Sequence, residues 1–563
     1  LNLTALFFLI FFIKSTLNIL KKINMKNKLI IAIGSVSVLV LGSLFYLYLT
    51  FLNGIDFSKY IPSNSVVVMK VNLLSIGKKV NFTDASQSNG FKNEILKNLS
   101  PSQKIMMEEI SNNPSKSGIK FASKPTLFVY NSSTTESEPV VAFMFGISDK
   151  EDFKTFISQV SMDLKVDDVD PDGFYRVKMN NSEQFVIYFN DKMGLMISDV
   201  DRKELPFKQI RDSIFSMNKD NSILSNEDYV AVNKQSSDMM LYFNAKELLN
   251  AVSINNYSAE VNRIKKSVNA IPHGLTLNFN EDEVAIKMIG NKSKENGFGS
   301  FYKEEEFTDS ELKNIDPNGS PLAYLTMNVD FKKALELLIE QTANRGYSDL
   351  DIQINNLARK LGIPKDDLMN LIGGKLSLSF SGMQHGNKSY GNPTKPIING
   401  WIQLGNKNAA QKLLDLATIQ GGLVNDDGIY AEKTNLREPA IFMTIIDKDL
   451  FISTQKQPLV NKMQGANWIE LADDYGKKDV LANSTALYMD LRYSSYKEML
   501  KKEMNPYDFS TMDKFENILS AFKSISITGK QNEAEISIKF SQKNTNSLQR
   551  IIELLQEAYQ IAS

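Results

Sequence analysis

The stretch SVVVMKVNLLSIGKKV (residues 65–80) decides the fold, because an alternating apolar run stops at Asn72 and helix-spaced apolar residues follow. A strand that turns straight into a helix leaves the first backbone N–H groups unpaired, and an Asn or Asp side chain supplies the oxygen they need. The same pattern returns in DMMLYFNAKELLNAV (238–252) with Asn244, in PLAYLTMNVDFKKALELL (321–338) with Asn328, and in TALYMDLRYSSYKEML (485–500) with Asp490. Asn72 and Asn328 lie 256 residues apart, and Asn244 and Asp490 lie 246 apart, so the segments pair across two halves.

The intervening sequence aligns in the same order. KPTLFVYNSS (124–133) matches GKLSLSFSGM (374–383), and EPVVAFMFGISDKEDFKTFISQV (138–160) matches KPIINGWIQLGNKNAAQKLLDLA (395–417). Residues 172–205 match 427–459, each as three short strands with tight turns at Asn190-Asp191-Lys192 and Asp447-Lys448-Asp449. Each half closes on a hairpin, at 273–290 and 522–541. Residues 92–112 and 349–372 are predicted helical, and the helix-spaced stretch SLQRIIELLQEAYQIA is expected to cap the second half. Period-two strands joined by hairpins predict antiparallel sheet. The expected class is therefore α+β: two tandem copies of a mainly antiparallel sheet with helices packed on one face, at 61–290 and 318–563, joined by a polar, Gly-rich linker at 291–317.

Residues 29–52 form a 24-residue run without a charge, preceded by Lys14, Lys21, Lys22, Lys26 and Lys28. That length exceeds the ~20 residues a membrane-spanning helix needs, and the positive-inside rule leaves residues 1–28 in the cytoplasm. The expectation is a signal anchor at 29–52 in the inner membrane, with a single pass and the ectodomain in the periplasm. Cleavage as a signal peptide is the competing reading, but no A-x-A-like site follows. Met25-Lys-Asn-Lys resembles a natural start, which would make residues 1–24 an extension; the alternative is a second membrane-embedded segment.

Composition excludes several chemistries. The 563 residues contain no Cys, which removes disulfides, thiolate metal sites, a Cys nucleophile and a lipid-bearing cysteine together. Beyond residue 52 the acids exceed the bases by six, and no basic run with interleaved aromatics occurs, so no nucleic-acid partner is expected.

The motif matches are weak. Asp168-Val-Asp170-Pro-Asp172-Gly173 opens like a calcium loop, but its twelfth position is Met179, and a strand follows instead of a helix. Ser453-Thr-Gln-Lys456 fits S-x-x-K, as does Ser300-Phe-Tyr-Lys303, yet the S-D-N and K-T-G partners are missing and Lys433-Thr-Asn435 is only a near match. His273 and His385 occupy non-equivalent positions, and Gly373-Gly374-Lys375 reads as a helix stop before a strand. The loop QHGNKSYGNPTKP (384–396), with Tyr390 inside it and Trp401 just beyond, is longer than its first-half counterpart and is the most interaction-like segment. No catalytic, cofactor-binding or metal-binding residue is assigned, and no cofactor is expected.

Asn113-Pro-Ser-Lys-Ser-Gly-Ile119 followed by Lys124-Pro-Thr-Leu-Phe-Val129, after the Pro-led IPSNSVVVMKVNL, resembles an uncharacterised Bacteroidota envelope family whose exported part is a domain of unknown function. The resemblance covers the chain from about Ile61 onward and implies location and fold but no activity. Many of its members look like lipoproteins, and the absence of Cys here points away from the outer membrane. The expected role is a non-catalytic binding or scaffold protein with an envelope protein partner; the alternative is an envelope hydrolase whose site is scattered in sequence.

Overall fold

A computed structural model of the chain describes residues 55–79, 114–120, 122–131, 139–160, 164–179, 182–198, 206–244, 246–247, 273–290, 303, 305–343, 349–384, 394–433, 441–504, 506–513, 515–530, 533–542 and 544–562. The predicted anchor at 29–52, residues 1–28, the helix at 92–112, most of the 384–396 loop with His385 and Tyr390, and Ser300 lie outside the described residues.

The described residues form two compact units, the first within 55–290 together with 542–562 and the second within 303–541. The first unit contains β1 (Ser65–Val71), β2 (Ile119–Lys120), β3 (Thr126–Asn131), β4 (Pro139–Ile147), β5 (Leu164–Val166), β6 (Tyr175–Met179), β7 (Ser182–Phe189), β8 (Met193–Ser198), β9 (Met239–Phe243), β10 (Gly274–Asn280) and β11 (Glu283–Ile289). Its strands run β5-β6-β7-β8-β4-β3-β1-β9-β10-β11, with β2 pairing the end of β4. The second unit contains β12 (Ala323–Asn328), β13 (Ile372–Gln384), β14 (Lys395–Leu404), β15 (Leu423–Asp426), β16 (Ile429–Glu432), β17 (Phe442–Ile446), β18 (Asp449–Ser453), β19 (Thr485–Asp490), β20 (Phe522–Lys530) and β21 (Glu533–Phe540). Its order is β15-β16-β17-β18-β14-β13-β12-β19-β20-β21.

Three expectations need correction. The 21 described strands are one antiparallel sheet with helices, not two tandem copies; period-two alternation predicts that strands pair but not how many strands one sheet collects. Among the described residues no helix is long and apolar enough to cross a membrane, so a preceding transmembrane helix is not supported. The helix Ser547–Ala562, for example, has 16 residues and carries Arg550, Glu553 and Glu557. Helices also pack on both sheet faces, because both faces are apolar. On β4, Ala142 and Met144 join a core with Ile210, Ile214, Tyr229 and Val232 from helices Phe207–Phe215 and Glu227–Asn233. Phe143 and Phe145 point the other way, toward Phe153, Phe156 and Ile157 of helix Lys150–Val160.

The C-terminal helix also departs from its expected place. It packs on β10 and β11 of the first unit, with Leu548 beside Val71, Leu73 and Ile76. The segment leading into it is tied to the β10–β11 hairpin. Asn546 Nδ2 donates to the Phe279 carbonyl at 3.0 Å, and the Asp282 N–H donates to the Thr545 carbonyl at 3.0 Å. Asp282 turns that hairpin with φ 59°, a left-handed conformation that Asp tolerates better than most residues.

Candidate functional site

The acidic turn behaves as a clamp for an arginine. Arg211, from helix Phe207–Phe215, is fully buried, and its guanidinium bonds both Asp170 and Asp172, the latter at 2.8 Å. Asp212 takes a further contact at 2.5 Å, and the guanidinium lies 4.8 Å from the Phe174 ring and 5.0 Å from the Tyr188 ring. Burial would push the Asp170 carboxyl up, but bonds from Arg211 and the Phe174 N–H hold it below the usual range. The Asp170 and Asp172 carboxylates of the calcium-like turn are therefore engaged, and among the described residues no cluster suited to a metal is found.

Ser453 is fully buried. Its Oγ donates to Asn399 Oδ1 at 2.8 Å and accepts the Gln455 N–H at 3.0 Å. Lys456 instead bonds Asp426 at 2.5 Å, so the S-x-x-K pair is not a nucleophile with its base. Asn399 Nδ2 in turn donates to Ser381 Oγ at 3.3 Å, and Ser379 and Ser381 both donate to Asp316, making a buried polar chain within the second unit. His273 Nε2 is buried 3.7 Å from Asp228 Oδ2, and Lys303 donates to the Gly373 carbonyl at 2.9 Å. Gly374 opens β13 with φ 137°; a side chain there would meet Asn328 Oδ1.

The group that stands out chemically is Lys70 on β1, 4% exposed. Its ammonium donates to Asp56 Oδ1 at 2.7 Å, Ser58 Oγ at 2.5 Å and Asn233 Oδ1 at 2.9 Å, which uses all three protons. Ser58 Oγ also sits 2.8 Å from the Tyr229 hydroxyl. Asp56 caps the short turn Phe57–Tyr60 just before β1, and Asn233 ends helix Glu227–Asn233, so three separate elements converge on one ammonium. Burial would push the Asp56 carboxyl up, but the Lys70 charge and the Ser58 bonds outweigh it and leave it at about 2. Burial pushes the Lys70 ammonium down despite Asp56, and the nearby Lys124 charge adds to that. Both shifts are downward but favour opposite charge states: Asp56, 51% exposed, is held charged, whereas burial of Lys70, 5% exposed, works against its charge. Next to this cluster lies a cavity of about 60 Å³ lined by Lys70, Asn72, Lys124, Asn233, Gln235 and Ser237, among others.

Residues 57–548 match the Domain of unknown function (DUF4836) family. The chain belongs to this family. No curated protein matches this DUF4836 chain. Among solved structures, crystal form IV of TP0453 is similar at 9% identity and a TM-score of 0.25, covering 42% of this chain and 81% of that one. Crystal form I of TP0453 is similar at 10% identity and a TM-score of 0.24, covering 44% and 83%. At such scores the likeness carries no argument.

In this DUF4836 chain the Lys70 cluster escapes a motif search because its partners are dispersed. Asp56 is 14 residues away and Asn233 is 163 away. One signal was available: a lone Lys at an inward position of an otherwise apolar strand, which is costly unless paired.

Proposed function

We propose that the chain is a non-catalytic binding or scaffold protein of the bacterial envelope, placed in the periplasm. One observation carries this reading: the motif residues capable of chemistry are engaged in internal bonds. Arg211 fills the acidic turn, and Ser453 and Lys456 have different partners. The apolar run at 29–52 behind five Lys has the charge and hydropathy pattern of an export signal, which supports placement of the body in the envelope. The cavity beside Lys70 supports a binding role for the first unit.

Affinity capture from detergent-solubilised envelopes, paired with turnover assays of the purified chain, tests the reading. A stoichiometric partner or ligand recovered without turnover is the expected result. Hydrolysis of a peptidoglycan, glycan or ester substrate at enzymatic rates would overturn it.

A further inference from the structure

We infer that the cavity beside Lys70 binds a small oxyanion, a carboxylate or phosphate group, either free or at the end of a larger molecule. The inference rests on the binding reading above and names the ligand class for it.

Size comes first. About 60 Å³ is the room of two waters at roughly 30 Å³ each. That admits one compact polar group and is far below the ~300 Å³ at which drug-sized pockets begin.

The lining then sets the chemistry. An ammonium has no lone pair to offer, so the atom of Asn233 facing Lys70 must be its oxygen, which leaves Nδ2 as the amide's free end. Asn72 is fixed in the same way. Its Oδ1 accepts the Ser75 N–H at 3.1 Å, and Nδ2 remains for another partner. Among the described residues neither amide nitrogen has an acceptor. Lys124 adds an exposed ammonium at the rim, close enough to lower the proton affinity of Lys70.

No carboxylate lines the cavity. The nearest acids are committed elsewhere: Asp56 to Lys70 and Ser58, and Asp238 to Lys79, Ser75 and the Phe279 N–H. Two oriented amide donors and one rim cation, beside a Lys70 whose charge Asp56 already balances, make a site for a group that only accepts. Because Lys70 has spent its three protons and is paired with Asp56, it holds Asn233 in place while the amides and Lys124 make the bonds to the ligand.

The test uses the full chain at low ionic strength, where charge contacts are least screened. Calorimetric titration and unfolding midpoints are measured with inorganic phosphate, with acetate, and with acetamide as the neutral isostere of acetate. Asn233→Asp keeps an oxygen for Lys70 but replaces the free donor with a negative charge; Lys124→Glu reverses the exposed rim. Phosphate or acetate is expected to bind and raise the midpoint, with each variant at least tenfold weaker and its ligand-free midpoint near the parent's. Binding to phosphatidic-acid vesicles, lost in the same variants, assigns the group to a lipid headgroup, whereas binding to free phosphate alone assigns it to a solute. If acetamide binds as well as acetate and both variants lose it, the oxyanion assignment falls and the binding reading stands. Anion binding that neither variant weakens also overturns the assignment. If no probe binds, the oxyanion assignment falls, while the binding or scaffold reading is decided separately by the affinity capture above.

Discussion

β1 and β12 hold the same place in their units' strand orders, yet only one carries a buried cation. Lys70 stands two residues before Asn72, whereas the matching place before Asn328 holds Thr326, whose Oγ1 lies 3.4 Å from the Ala486 carbonyl. The second unit moves its buried lysine to the neighbouring strand. Lys375 on β13 donates to Glu311 at 2.9 Å and to the Glu306 carbonyl at 2.8 Å. In both units the acid comes from the short segment before the first strand, Asp56 at Phe57–Tyr60 and Glu311 in Asp309–Leu312. The ammonium's position on the sheet is free to shift; what recurs is a lead-in segment pinned to the sheet by a buried lysine. The pairs differ in exposure, since Glu311 is 16% exposed and Asp56 is half exposed.

That difference predicts unequal sensitivity. Glu311→Ala removes the closer and more buried carboxylate from Lys375, leaving the exposed Glu305 at 3.3 Å, and removes a capping box; it is expected to cost the second unit about 3 kcal/mol in urea unfolding. A loss below about 1 kcal/mol would mean the pairing is incidental. Deleting residues 545–562 strips Leu548 and Leu554 from the first unit and is expected to cost it on the order of 3 kcal/mol. Hydrogen exchange should then rise in β10 and β11 and not in β12 to β14; the reverse pattern would place the helix on the other unit.

Arg211→Ala has no counterpart to break in the second unit and is expected to cost about 2 kcal/mol. That is under the range for a fully buried pair, because Asp172 stays half exposed and the freed carboxylates can hydrate. Calcium added to this variant should give no thermal shift if the turn is shaped for a guanidinium.

The smallest effect is acid sensitivity. The folded Asp56 carboxyl lies at about 2, below the usual 3.8, so its stabilisation is complete above pH 4 and is lost as pH falls toward 2. Half exposure screens the pair, so about 1 kcal/mol is expected to vanish across that window. In Asp56→Asn the step between pH 4 and 2 should shrink by that amount.

Local chemistry was legible in the sequence where it is settled within a few residues. Asn72 and Asn244 do accept helix N–H groups, from Ser75 and Glu247. The hairpins at 273–290 and 522–541 are β10–β11 and β20–β21. Elsewhere a neighbour competed for the same role. Asp330, not Asn328, caps the helix after β12 by accepting the Lys333 N–H at 3.0 Å. Asp490 binds the Arg492 side chain at 2.8 Å, as well as its N–H, instead of capping. Contacts distant along the chain left no trace in periodicity. Asn546 reaches Phe279 across 267 residues, and Arg211 finds Asp170 across 41. A helix shows in sequence which of its faces is apolar, but not which strands will cover it.

The return of residues 545–562 to the β10–β11 hairpin sets a timetable for synthesis. A domain built from one continuous stretch can settle while the ribosome is still extending the chain behind it. Here the first unit's strands, the last of them ending at Ile289, wait for a helix that begins some 250 residues of translation later. Until then Val71 and Ile76 lack the leucine that packs beside them. The nascent chain therefore carries an open apolar seam throughout its production, the interval in which a chaperone would find it.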